Sequence, residues 1–172
     1  MNIKLSERSP KQEVLEEVEN YLAKQNFKLA RKNLGLPWGG FFVLDESQAE
    51  QFGKLFFPDL KISDLKISGK LSPKILVVES GKRLSWQYHH RRAEIWKLIA
   101  GSAGVATSLT DEEGPVNPMA LQDVVRLKQG ERHRLVGLNN WGIVAEIWQH
   151  TDAQHPSDEN DIVRLQDDFG RW

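Results

Sequence analysis

At 172 residues, with 23 Lys and Arg against 24 Asp and Glu, the chain has the length of one domain and a formal charge of −1, without the basic surplus of a general nucleic-acid binder. Zero cysteines rule out a disulfide scaffold, a thiolate metal site and a cysteine nucleophile. No apolar run approaches the roughly 18 residues of a membrane span, and the first ten residues, MNIKLSERSP, lack the apolar stretch of a signal peptide, so a cytoplasmic protein with no membrane contact is expected.

Hydrophobic residues make up 40% and charged residues 27%, a balance that supports a packed core. Ser9 as N-cap, Pro10 at the first helical position and Gln12 at the capping-box spacing predict a helix start. Val14, Leu15, Val18, Tyr21 and Leu22 then share one face of an amphipathic helix that docks on the domain or on a second subunit. Residues 34–40, LGLPWGG, read as turn, 41–44 as a short strand, and 45–57 as a short helix with Gln48, Ala49, Phe52 and Leu55 at helical spacing. Strand-type runs follow at 74–79, 84–90, 94–100, 104–109, 121–127, 132–138 and 142–149, with Asn139-Asn140-Trp141-Gly142 as a hairpin turn. Residues 151–172 are polar around the pair Ile162-Val163. Many short strands with little helix among them predict a mainly β antiparallel sandwich or barrel.

The chemistry concentrates in residues 81–96. In an extended strand Arg83, Ser85, Gln87, His89 and Arg91 share one face, and Leu84, Trp86, Tyr88 and His90 the other. Inside a small barrel the polar face is a site; outside, it is a solvated surface. Gln87 and His89 two apart, Glu94 five further on and His133 in a later strand offer a mixed nitrogen and oxygen set suited to zinc, manganese, iron, cobalt or nickel. A hydrogen-bonded core histidine is the plainer alternative. Trp38 and Trp96 read as packing residues, Trp141 and Trp148 as core closure, His90 as structural, and His150 and His155 as solvated tail residues.

The pattern Gly81, five residues, Gln87-x-His89, four residues, Glu94, six residues, Gly101 resembles the first cupin motif with Gln in place of its first His. Gly130 and His133 match the Gly-x-x-His core of the second, with Lys128 where Pro is usual and Gly137 where Asn is usual. Within the cupins, residues 81–96 are similar to the type II mannose-6-phosphate isomerases, as are Leu36-Pro37-Trp38-Gly39 and the closing stretch 161–171. Relatives often carry a third His where Arg91 stands and a His where Ile95 stands. Arg91 would set a cation beside His89 unless it turns to a phosphate.

The resemblance implies a cupin barrel, the double-stranded β-helix or jelly roll, over residues 34–150, with a helical extension at 1–33 and an arm at 151–172 packing back on it. It implies metal-dependent interconversion of an aldose and a ketose phosphate of the mannose-6-phosphate type, and permits a homodimer. One divalent ion, zinc first and manganese, iron, cobalt or nickel after it, would sit on Gln87, His89, Glu94 and His133. Glu94, Arg92 and Arg171 fall in the catalytic set, and Arg83 and Arg164 at the phosphate of the sugar-phosphate substrate, where a planar guanidinium binds two oxygens at once. The alternative for Arg92 and Arg164 is a surface ion pair with Glu94 and with Asp161 or Asp167. The proton-moving base is left open among a hydroxide on the metal, Glu146 and Asp168. A non-catalytic sugar- or nucleotide-sugar-binding cupin is the rival reading, and a metal-dependent oxygenase a third. Relatives are often half of a bifunctional nucleotidyltransferase, for which this length has no room, so nucleotide-sugar synthesis is not expected. Residues 82–97 carry a surplus of four positive charges and 152–168 a surplus of five negative ones, so the arm is suited to lie across the strand pair.

Overall fold

In the computed structural model, which describes residues 1–172, α1 (Lys11–Lys24) buries Val14, Leu15, Val18 and Leu22, four of the five residues on the predicted face. Its start differs from expectation: Pro10 is the N-cap, and the first helical bond runs from the Val14 N–H to the Pro10 carbonyl at 3.1 Å. The Ser9 hydroxyl is drawn into the preceding turn, accepting from the Ser6 N–H at 3.0 Å, while Gln12 donates to Glu16, so no capping box forms.

β1 (Leu29–Leu36) and β2 (Gly39–Leu44) pair antiparallel around Pro37-Trp38, so the tight turn is shorter than the 34–40 passage, and a boundary after residue 33 would cut β1. Neither face of β1 is buried, which is why LARKNLGL shows no alternation to read. The predicted short helix is α2 (Ala49–Phe56), with Phe52 and Phe56 buried against Phe27 and Leu55 left exposed. α3 (Ile62–Leu65) follows, then β3 (Lys74–Val78) and β4 (Trp86–Tyr88).

Two pairs of expected strands are single long ones: β5 (Arg92–Ser108) and β8 (Arg132–His150) run side by side along nearly their whole length. The Asn139-Asn140-Trp141-Gly142 stretch stays within β8 and is not a hairpin turn. The two strands bend together instead, with register shifts next to the Gly101–Gly142 pair. Gly101 has φ 72°, and a Cβ there would run into the Trp141 carbonyl oxygen. β6 (Val116–Pro118), β7 (Val124–Leu127) and β9 (Val163–Gln166) complete a nine-stranded sheet, ordered β1-β2-β3-β8-β4-β9, with β5 pairing β6, β7 and β8. The mainly β fold with an N-terminal helix is the one the sequence predicts.

The central strands are covered on both sides, and alternation sorts their side chains into two cores. Ile75, Val77, Ile143 and Ile147 pack with the buried faces of α1 and α2. Leu76, Val78 and Val144 pack with Trp38, Phe41, Trp96 and Leu98 in the barrel interior. Lys74, Glu146 and Trp148 lie on the interior side by the same period of two. The 151–172 segment returns to the barrel through β9, which pairs β4 with Gln87 opposite Arg164 and Tyr88 opposite Val163. No helix is long and apolar enough to cross a membrane.

Candidate metal centre

Sheet register builds the centre. His89 follows β4, whose Gln87 pairs with His133 of β8, and Glu94 stands near the start of β5. The His89 Nε2 is 3.1 Å from Glu94 Oε1, and the His133 Nε2 is 3.3 Å from Glu94 Oε2, all three side chains being at most 2% exposed. Both imidazoles are held from behind: His89 Nδ1 donates to the Asp161 carbonyl at 2.6 Å and His133 Nδ1 to the Glu131 carbonyl at 2.9 Å. That fixes the tautomer and turns each Nε2 toward Glu94, the arrangement seen behind metal-bound histidines, with Arg92 Nη2 also 3.3 Å from the His89 Nε2.

A cation fits here. Glu94 Oε2 and His133 Nε2 are buried without a hydrogen-bond partner, although they are adjacent. Gln87 lies alongside, its amide nitrogen 3.5 Å from His89 Nε2 and its oxygen bonded to the Ser85 hydroxyl. Turning the amide over exchanges those two atoms and presents the oxygen to the cluster. His89, Glu94 and His133 could together hold a metal ion.

The charges agree with the geometry. Burial would raise the Glu94 carboxyl, but His89, Arg92 and His133 around it hold it well below its ordinary value, so it is ionised. Burial, with Arg92 and His133 adding to it, pushes His89 down against the pull of the Glu94 charge. For His133 the adjacent Glu94 charge outweighs burial and raises it.

Beside the cluster is a cavity of about 120 Å³ lined by Gln87, Arg92, Glu94 and Glu146 on one part and by Lys74, Glu159, Arg164 and Arg171 on another. Trp38, Leu76, Leu84 and Trp96 supply its apolar wall. Glu146 accepts from two indoles, Trp96 Nε1 at 2.7 Å on one oxygen and Trp148 Nε1 at 2.8 Å on the other. Burial, then repulsion from Glu94, raises it to about 7. Lys74, absent from the sequence-based candidates, is buried and paired with Glu159 at 2.6 Å. A charged residue heading an otherwise apolar strand was the available signal.

Arg92 makes no surface pair: it is buried, donating Nε to Glu94 at 2.8 Å and Nη1 to the Ser157 hydroxyl at 2.8 Å, with its guanidinium 3.6 Å above the Trp148 ring. Its donors are spent on the protein. Arg164 pairs with neither Asp161 nor Asp167, and its Nε is buried without a partner. Arg171 reaches the cavity but is clasped through two nitrogens by Asp167.

Three expectations need correction. Arg83 does not line the cavity, because Asp168 clasps it through two hydrogen bonds at 2.7 and 2.9 Å, and this same clasp removes Asp168 from the candidate bases. Arg91 sets no cation beside the metal ligands: β4 ends at Tyr88, and in the turn beyond it Arg91 Nε donates to the His155 carbonyl. His150 is fully buried, with Nδ1 accepting from the Ser157 N–H at 2.9 Å and Nε2 2.8 Å from the Ser72 hydroxyl, since β8 extends to it and the arm closes over it. Trp148 likewise does more than close the core, holding Glu146 and Arg92 together. The acidic arm does meet residues 82–97, where Asp168 pairs with Arg83 and Asp158 and Asp161 face Arg91, while Arg92 pairs with Glu94 of the same stretch.

Comparison with known proteins places these residues in context. The mannose-6-phosphate isomerase C-terminal family matches residues 44–167. The alginate biosynthesis protein AlgA of Pseudomonas aeruginosa is 29% identical over 73% of this chain and 24% of its own length. The mannose-1-phosphate guanylyltransferase of Escherichia coli is 26% identical over 69% of this chain and 23% of its own. The chain thus spans about a quarter of these curated relatives. Among solved structures, Lactobacillus farciminis oxalate decarboxylase superposes with a TM-score of 0.54 at 15% identity, over 79% of this chain and 34% of that one. The capsular polysaccharide assembling protein CapF of Staphylococcus aureus does so at 0.53 and 13%, over 79% and 34%. At such identities these two show the fold alone.

Proposed function

The chain belongs to the mannose-6-phosphate isomerase C-terminal family of cupin barrels, and on that premise we propose that it interconverts an aldose phosphate and its ketose phosphate by moving a proton between C1 and C2. One observation carries the reading: a buried carboxylate fixed by two indoles, Glu146, lines the same small cavity as the metal-competent cluster.

Burial raises the Glu146 carboxyl, which makes it a stronger base, so it can take a proton from one carbon and return it to the next. The indoles of Trp96 and Trp148 fix its direction and stabilise its charged form. When bound on Gln87, His89, Glu94 and His133, a divalent ion would polarise the sugar carbonyl and offset the negative charge that develops on the oxygens. Zinc suits two imidazoles with carboxylate and amide oxygens, and manganese, iron, cobalt or nickel are the alternatives. Arg92 keeps Glu94 ionised and in place, and Arg164 and Arg171 give the cavity its positive end. A relative named for mannose-1-phosphate supports a hexose phosphate as substrate.

The test is incubation of zinc- or cobalt-loaded protein with mannose 6-phosphate in D2O, followed by proton NMR. Fructose 6-phosphate should form, with deuterium entering at the transferred position. The absence of both interconversion and deuterium exchange with every hexose phosphate tried would overturn the proposal.

A further inference from the structure

Lys74 is an ammonium group on the inward face of β3, 7% exposed, with Nζ 4.4 Å from the centre of the Phe41 ring and 4.8 Å from that of Trp148. A charge so enclosed requires a counter-charge. Its partner is Glu159, which meets Lys74 at 2.6 Å and Arg31 at 2.9 Å. The two partners are unequal. Lys74 is fixed in the sheet, whereas Glu159 is 40% exposed and lies in the irregular stretch between β8 and β9.

Glu159 also stands where cations converge. Arg92 and Arg164 act on its charge in addition to Lys74 and Arg31. Although burial raises the Glu159 carboxyl, Lys74 and Arg31 outweigh burial and hold it below its ordinary value. Burial, and then repulsion from Arg171, pushes the Arg164 guanidinium down, as expected where cations outnumber the anions between them. Lys74 and Glu159 line both the inner cavity and a surface cleft of about 370 Å³, so their ion pair stands between the two.

We propose that Lys74, Arg164 and Arg31 form the subsite for the phosphate group of the substrate, and that Glu159 occupies it as a displaceable carboxylate plug. A phosphate dianion offers these cations two charges and three oxygens where the carboxylate offers one charge and two oxygens. Displacing Glu159 would also join the inner cavity to the surface cleft and open a way in. The subsite rests on the sugar-phosphate reading for what the phosphate is attached to, but phosphate binding is measurable without turnover.

Calorimetric titration of metal-free protein with inorganic phosphate tests it. Glu159→Gln should bind phosphate about tenfold more tightly than the wild type, and Lys74→Met about tenfold more weakly. Asp158→Asn, which loses the same charge from the same loop, should stay within about twofold. Unchanged or weaker binding by Glu159→Gln, or an equal gain in Asp158→Asn, would overturn the plug. Tighter phosphate binding by Glu159→Gln in a protein that isomerises no sugar would support the subsite and sink only the isomerase reading.

Discussion

Replacing Asp161 by Ala removes a carboxylate whose side chain is fully enclosed, and which accepts from the His90 N–H at 2.9 Å, the Arg91 N–H at 3.0 Å and the Ser157 hydroxyl at 2.5 Å. Hydrogen bonds to a charged acceptor are worth about 1.5–3 kcal/mol each and are not additive, so with two backbone donors left unpaired the loss should be about 4 kcal/mol. The carboxyl lies below its ordinary 3.8: burial raises it, but Ser157 and the two backbone donors outweigh burial. Its contribution is therefore present above that ordinary value and fades only as pH falls through the lower folded one. The effect should also reach the metal, because the Asp161 carbonyl is the acceptor that orients His89. Losing such support typically costs about 10–100-fold in metal affinity. Urea denaturation at neutral pH reads the stability, and zinc competition against a chromophoric chelator reads the affinity. A variant that loses the stability yet binds zinc within about threefold of the wild type would refute the link between the arm and His89.

Three further variants probe the cavity carboxylate and the bend between β5 and β8. Glu146 has a folded value of about 7 against an ordinary 4.5, so the folded state holds the proton more tightly and stability falls as pH rises through that window. The full span amounts to about 3 kcal/mol in the metal-free protein; Glu146→Gln should remove that slope from urea midpoints, and a curve parallel to the wild type's would contradict the assignment. At Gly101, where φ is 72° and a Cβ would meet the Trp141 carbonyl, Ala should cost about 3 kcal/mol or more. At Gly130, with φ 76° and open space around it, Ala should cost only about 1 kcal/mol, and equal costs would show that the bend between β5 and β8 does not need its glycine.

The sequence was most informative where periodicity and burial coincide. Val14, Val18 and Leu22 marked α1, and the alternate residues Ser85, Gln87 and His89 marked the side that meets the cavity and the cluster. It was least informative where strand continuity depends on a distant partner: nothing local shows that Asn139 and Asn140 stay in a ladder, because β5 keeps them there. His89, Glu94 and His133, which the structure brings together, were legible from spacing because a set that could hold a metal is restricted in residue type. The pairing of Lys74 with Glu159 and the clasp of Asp168 on Arg83 were not, since each joins residues 85 positions apart in the chain, and such contacts leave no periodic trace.

The unpartnered Glu94 and His133 atoms, with His89 beside them, could together hold a metal ion. Titrating metal-free protein with cobalt(II) while following its visible absorption tests this most directly. The wild type should saturate at one ion per chain, and a His89→Ala, His133→Ala double variant that remains folded should bind none. A wild type that binds no cobalt, or a double variant that binds it as tightly, would contradict that reading.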